Sequence, residues 1–214
     1  MTQPLAQTAA LTWQQARNFH EGVASAERFF MGDGEVYKAL LKVCAALDAD
    51  GIPYAVVGAM ALNTYGYRRV TTDVDLLLTG EGLAAFKARH LGLGWVERFP
   101  GSKGMRDTEH KVGIDVLLTG DYPGDGAPKP VRFPDPSVAV DADGIKVLPL
   151  ERLIELKLAS GLSAAHRGKD LVDVQELIRY AGLPLELAAA LDASVRDEYR
   201  NRWHLAQASL KDDA

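Results

Sequence analysis

Two aspartates stand two residues apart, Asp73 and Asp75, in the segment RRVTTDVDLLL, residues 68–78. Val, Leu and Thr dominate the segment, which reads as an interior strand. Residues at i and i+2 of a strand point to the same face. Arg69, Thr71, Asp73 and Asp75 therefore share a polar face, and Val70, Thr72, Val74 and Leu76 share the other. Carboxylates this close repel and raise each other's pKa. A third, Asp115, sits in VGIDVLL, another apolar stretch of strand character. Burying unpaired carboxylates costs on the order of several kcal/mol each, so the set needs a cation. Arg69 is one such group. A divalent metal serves three carboxylates better: magnesium is hard, takes oxygen ligands and keeps waters that substrate phosphates can replace. Two such ions about 3.5–4 Å apart can hold the attacking and leaving oxygens of a phosphoryl transfer. The alternative is an exposed edge strand with solvated aspartates.

The elements that must position these groups can be read along the chain. Helices are expected over residues 10–31 and 35–49, split by Gly-Asp-Gly. GIPYAVVG reads as turn, short strand and glycine, and AMALNTYGY as a short helix ending near Gly66. After the aspartate strand, GEGLAAFKARHLG reads as a helix stopped by a glycine. GWVERF is a strand, and GMRDTEH and VGIDVLL are neighbouring strands in a hairpin. Residues 120–136, dense in Pro, Gly and Asp, form a loop, and GIKVLPL is the last short strand. From Leu150 the pattern is helical: 150–160, 168–181, and 185–208 with a break, Gly161–Gly168 being a linker. Strand signals end near residue 148. The expected division is thus an α/β unit over 1–148 with N-terminal helices, and a helical region over 149–214 packed on it.

Composition narrows the class. The chain has 214 residues, 47% of them hydrophobic, and a formal net charge of −5, enough for a real core and too acidic for a generic nucleic-acid binder. Its one cysteine, Cys44, can form neither an internal disulfide nor a cysteine-based zinc site, and its place on the apolar side of a helical pattern makes it packed core. No run approaches the ~20 apolar residues of a membrane span. The first residues lack the basic and apolar regions of a leader. A cytoplasmic protein with no membrane partner is expected.

In AVVGAMAL, Gly58 lies where a strand turns into a helix. A glycine there lets backbone approach a ligand, and the first N–H groups of the helix face an anion; an ordinary tight turn is the alternative. Strand, glycine turn, helix, Asp-x-Asp strand and a third acidic strand together resemble the nucleotidyltransferase superfamily with the polymerase-β-like fold, over roughly residues 50–120. The matching residues are Gly58, Asp73, Asp75 and Asp115. LERLIELKLASGLSAAHRGKDLVDVQELI resembles the helical region of the AbiEii-like branch, which includes toxins of toxin–antitoxin systems; Lys157, Lys169, Asp170 and Asp173 carry that likeness.

The resemblance implies a mixed α/β, polymerase-β-like nucleotidyltransferase domain with N-terminal helices and a C-terminal helical bundle. It implies a Mg2+-dependent enzyme, with two ions held by the catalytic Asp73, Asp75 and Asp115. Asp115 would help to deprotonate the acceptor. Gly58, Ala59, Arg69, Thr71, Lys157 and Asp173 would bind the nucleoside triphosphate. The acceptor would be RNA, protein or a small molecule, and an antitoxin-like protein a partner. Where the superfamily often has Gly-Ser, this chain has Gly58-Ala59: the backbone N–H groups remain and the hydroxyl does not. A non-catalytic descendant that binds a nucleotide or a partner protein is the rival. For Lys157 the bland alternative is a surface lysine laying its stem on apolar neighbours, and for Asp173 a one-turn pair with Lys169.

Other polar residues read mostly as solvated charges. His110, Lys103 and Arg106 precede the Asp115 strand, and Arg167 and His166 lie near Lys157. Arg167 is a plausible phosphate contact. Ser102 does not replace the missing hydroxyl, and His20, His90 and His204 form no pair with metal-ligand spacing. Trp203 is expected to anchor the last helix.

Overall fold

A computed structural model describes Ala26 and residues 34–212 of the chain. The helix expected over 10–31 lies outside the described residues apart from Ala26, which is helical. The elements run α1 (Glu35–Ala49), β1 (Tyr54–Val56), α2 (Gly58–Thr64), β2 (Asp73–Leu78), α3 (Gly80–His90), β3 (Trp95–Glu97), β4 (Met105–Asp107), β5 (Gly113–Leu118), β6 (Val140–Ala142), β7 (Ile145–Val147), α4 (Leu150–Ser163), α5 (Gly168–Ala181) and α6 (Arg196–Asp212), with short 3-10 turns between.

The seven strands form one mixed sheet in the order β3-β4-β5-β2-β1-β7-β6. β2 runs antiparallel to β1 and parallel to β5. β4 and β5 pair antiparallel, as the hairpin reading expected. β6, which the loop-and-strand reading left out, closes the far edge against β7. Its residues are largely exposed, so no apolar alternation marks it.

Burial explains the central strands. Val74, Leu76, Leu77 and Leu78 are fully buried, as are Ala55 and Ile114. A single cluster of buried side chains runs from Leu47 and Phe86 through Val56 and Leu76 to Leu153, Ile154, Val174, Leu177 and Tyr199. The helices after residue 148 thus share their core with the sheet. Tyr65 adds a polar tie by donating its hydroxyl to the carbonyl of Leu148, 2.8 Å. Cys44 is buried, as expected, and burial pushes its thiol up to about 12. Trp203 anchors α6 by donating Nε1–H to the carbonyl of Leu183, 2.9 Å.

Two expectations are corrected. The aspartate strand begins at Asp73, not at residue 68. Its ladder partners fix this: β5 starts opposite Asp73, and β1 reaches only to Leu76. Residues 68–72 have no neighbour to pair with, and Val70 and Thr72 are exposed instead of lying on the core face. The second correction concerns Gly161, expected in a linker and found inside α4. A Cβ there would stand 2.5 Å from the side chain of Leu171, so this glycine lets α4 and α5 approach closely. The break expected within 185–208 is present, with 3-10 turns at Leu185–Ala190 and Ala193–Val195 before α6.

The strand boundary is testable by stability. Leu76→Ala should cost about 2–5 kcal/mol in urea unfolding, as core truncations do. Val70→Ala should stay within about 0.5 kcal/mol, as surface changes do. A comparable loss at both positions would return Val70 to the core.

Candidate active site

The parallel pairing of β2 and β5 sets Asp115 directly opposite Asp75, and Gly113 opposite Asp73. Cross-strand partners share a face, as do residues two apart. The three carboxylates therefore issue from one side of the sheet. β2 is the fourth of seven strands, which excludes the solvated edge strand.

Asp75 is the most constrained of the three. Its carboxyl is pushed up from 3.8 to about 6, first by loss of water, then by the charges of Asp73 and Asp115; Lys157 and Arg69 pull it back. Gly58 opens α2 with φ +62°, a conformation that favours glycine. A Cβ at Gly58 would fall 1.9 Å from Oδ2 of Asp75, so glycine is also required by space. Val57 donates its N–H to the Asp75 carbonyl, 3.0 Å. Turn and carboxylate are thereby fixed against each other.

Asp73 accepts a 2.6 Å hydrogen bond from the hydroxyl of Thr71. Arg69 is clamped through its backbone: its N–H donates to Oδ1 of Asn63 at 2.6 Å and its carbonyl accepts from Nδ2 of Asn63 at 2.9 Å. This exchange takes the place of the missing strand ladder. The guanidinium of Arg69 then reaches Asp173 at 2.5 Å.

Asp173 is 2% exposed and also receives Lys157 at 2.8 Å; Lys157 pairs further with Asp170 at 3.1 Å. Ser160 donates its hydroxyl to Asp170, 2.6 Å. The surface-lysine alternative fails because Lys157 is 8% exposed. The Lys169 pairing fails as well, since Asp173 faces Arg69 and Lys157 and Lys169 is exposed.

A cleft of about 260 Å3 opens over this face, with Gly58, Asp75, Lys157, Ser160 and Arg167 among its lining and Leu117 and Phe133 among its apolar walls. Arg167 thus reaches the site, and donates to the carbonyl of Gly124 at 3.3 Å. Asp73, Asp115, Ala59, Arg69, Thr71 and Asp173 are not part of that lining. Ala59 is buried, 5% exposed. His110 turns to Glu35 at 2.9 Å, Lys103 to Asp121 at 2.7 Å, and Arg106 and His166 are exposed. His90 pairs with Asp50 at 2.8 Å, and Ser102 is buried with its carbonyl bound to Lys87.

Two participants had no sequence signal strong enough to be singled out. Ser160 lies one turn after Lys157, a spacing that shares a helix face. Arg98 pairs with Asp115 at 2.8 Å. Nothing local links positions 98 and 115; only the β3-β4-β5 pairing brings them together.

The donor set suits a hard divalent cation: carboxylate oxygens alone, crowded enough to raise Asp75, with a cradle at Gly58 that a Cβ would fill. Among the described residues no three such groups already stand as a ligand cluster. Asp73 accepts from Thr71 and Asp115 pairs with Arg98, each through Oδ1.

No family model matches the chain, and no curated protein matches it. Among solved structures, the crystal structure of ANT(2'')-Ia in complex with adenylyl-2''-tobramycin is similar at 17% identity and a TM-score of 0.51, over 78% of this chain and 97% of that one. The solution structure of ANT(2'')-Ia matches over 80% and 92% at 16% identity with a TM-score of 0.44. A chain from H. pylori, provisionally assigned as a nucleotidyltransferase, matches over 95% and 99% at 16% identity with a TM-score of 0.43. The first similarity carries the comparison of folds. Among the described residues no helix is long and apolar enough to cross a membrane. The mixed seven-stranded sheet with its flanking helices is a nucleotidyltransferase fold.

The charge balance has a measurable sign. Asp75 binds its proton more tightly folded than unfolded, so it lowers stability as pH rises from about 4 to about 6. Asp75→Asn should raise metal-free stability at pH 7 by on the order of 3 kcal/mol, and the gain should vanish below about pH 4. Urea unfolding across that range measures it, and a gain independent of pH would contradict the assignment.

The buried pairs give a second test. Asp173→Ala leaves Arg69 and Lys157 without their shared partner and should cost about 3–5 kcal/mol, whereas Lys169→Ala should cost about 0.5 kcal/mol or less. Equal costs would restore the Lys169 pairing.

Proposed function

We propose that the chain is a divalent-metal-dependent nucleotidyltransferase, which moves a nucleotide from a nucleoside triphosphate to an acceptor hydroxyl. One observation carries this reading: Asp115 stands opposite Asp75 in register, with Asp73 two residues away on the same face. Asp75, largely desolvated, lines a cleft together with Lys157 and Arg167. The fold likeness supports the same reading, and the similar ANT(2'')-Ia structure holds an adenylylated small molecule, adenylyl-2''-tobramycin.

Asp73, Asp75 and Asp115 would hold the metal, magnesium by the hardness of the donors, in a pair of ions. When bound, the metal supplies charge neutralisation at the phosphates and polarises the reacting oxygens. The chain's own groups do the rest. Gly58 brings backbone to the edge of the cleft, and Lys157 and Arg167 offer cationic donors to the triphosphate. Arg69, through Asp173, holds Lys157 in place. Thr71 orients Asp73. The acceptor oxygen attacks the α-phosphorus, the bond to the β-phosphate oxygen breaks, and pyrophosphate leaves. Asp115 is the carboxylate that would help to take the hydroxyl proton. Positioning and charge stabilisation account for most of the acceleration in such transfers.

Small-molecule, RNA and protein acceptors all remain within the proposal. The AbiEii-like likeness of the C-terminal helices adds a toxin role with an antitoxin-like partner. A non-catalytic nucleotide binder is the second reading, favoured by Ala59, which supplies no hydroxyl. Loss of one neutral hydrogen bond costs only about 0.5–1.5 kcal/mol, which weakens phosphate binding without abolishing it.

Label transfer decides between the two. With magnesium and a labelled nucleoside triphosphate, the protein should label an acceptor from a panel of small-molecule alcohols, RNA and protein. The double variant Asp73→Ala, Asp75→Ala should lose the transfer. Persistence of label in that variant would remove the carboxylates from the chemistry, and triphosphate binding with no transfer to any acceptor would favour the binder.

A further inference from the structure

Arg98 leaves β3 and enters the turn before β4. Its N–H donates to the carbonyl of Gly104 at 3.3 Å, so its backbone is fixed. Its guanidinium then lies 2.8 Å from Oδ1 of Asp115, and the two side chains are 39% and 35% exposed. The guanidinium rests in a slot kept open by two missing side chains. A Cβ on Gly113 would fall 2.5 Å from Nη2 of Arg98, and one on Gly104 would fall 3.4 Å from Cδ of Arg98 and 3.3 Å from Oδ1 of Asp115.

Asp115 is also the register partner of Asp75. A cation is therefore already present beside one member of the carboxylate set, and it comes from the chain itself. The guanidinium offsets part of the negative charge that would otherwise draw a metal ion to Asp115.

We infer that Arg98 is a positioning residue that acts as an internal counter-cation, holding Asp115 when no metal is bound and releasing it when a divalent ion enters. It rests on the metal-dependent reading above, and it goes further by naming what sets the metal affinity. Arg98 shields Asp115 from Asp75 and Asp73 in the free protein and competes with the ion for it. An ion that draws Asp115 away from Arg98 gives up that pair, so apparent affinity falls by at most the strength of the Arg98–Asp115 pair. Partly exposed ion pairs are weak, and the competition is correspondingly modest.

The test is Mn2+ binding to the full chain, followed by the spectroscopic signal of free Mn2+, with no nucleotide present. Arg98→Gln should tighten binding roughly two- to fivefold. Gly113→Ala should act in the same direction, because its new methyl meets the movable end of Arg98 while every charge is kept; Gly113 sits in regular strand, so alanine is tolerated there. Arg98→Lys, which retains a cation, should lie closer to the parent protein. The rise in melting temperature on adding Mn2+ should be larger in Arg98→Gln and Gly113→Ala than in the parent.

Unchanged affinity in both variants, with binding lost in Asp75→Asn, overturns the role of Arg98 and leaves the metal site standing. Weaker binding in Arg98→Gln also overturns it, since Arg98 would then assist the ion. Mn2+ binding that is absent throughout, or that survives Asp75→Asn, overturns both this inference and the metal-dependent reading.

Discussion

Asp75 occupies a place where a carboxylate is costly. Desolvation and the charges of Asp73 and Asp115 all disfavour its ionised form. The surrounding structure is arranged around that cost. Gly58 has no side chain because the carboxylate fills the space one would need. Arg69 and Lys157 supply positive charge from two directions, one from the approach to β2 and one from α4. Asp173 binds both cations together. Stability is traded for a concentrated negative site, which is how functional centres commonly differ from the rest of a fold.

That constraint explains why the C-terminal helices matter to a site that begins on the sheet. α4 brings Lys157 and Ser160, and α5 brings Asp170 and Asp173. Lys157, Asp170, Asp173 and Ser160 form one hydrogen-bonded group, joined to Arg69 across the core. Removing any buried partner exposes the next charge to an apolar surround, so the group behaves as a unit. Asp173 acts on the site through its two cations and lies outside the lining of the cleft.

The opposite side of the carboxylate set is handled differently. Asp115 is partly exposed and meets a single guanidinium from the β3–β4 turn. Pairing there is weaker and more easily exchanged than in the buried group. The site thus has a buried cationic flank built on helices and a partly exposed one built on a hairpin.

The sequence by itself determined which residues share a face. Period two within DVD and the apolar flanks of Asp115 established one polar side on each of two strands, and the glycine turn before them. It also determined the helices over 35–49, 150–163 and 168–181 to within a few residues, because amphipathic spacing is a local property. Tertiary structure alone decided the rest. The register that sets Asp75 opposite Asp115 depends on pairing between residues 40 apart. The start of β2 at Asp73 depends on where its neighbours end. Asp173 found Arg69 and Lys157 instead of Lys169 because burial forced it to seek cations across the core. Arg98 reached Asp115 only through three paired strands. Local spacing encodes which way a side chain points; which charge it meets is settled by long-range packing, where desolvation makes pairing obligatory.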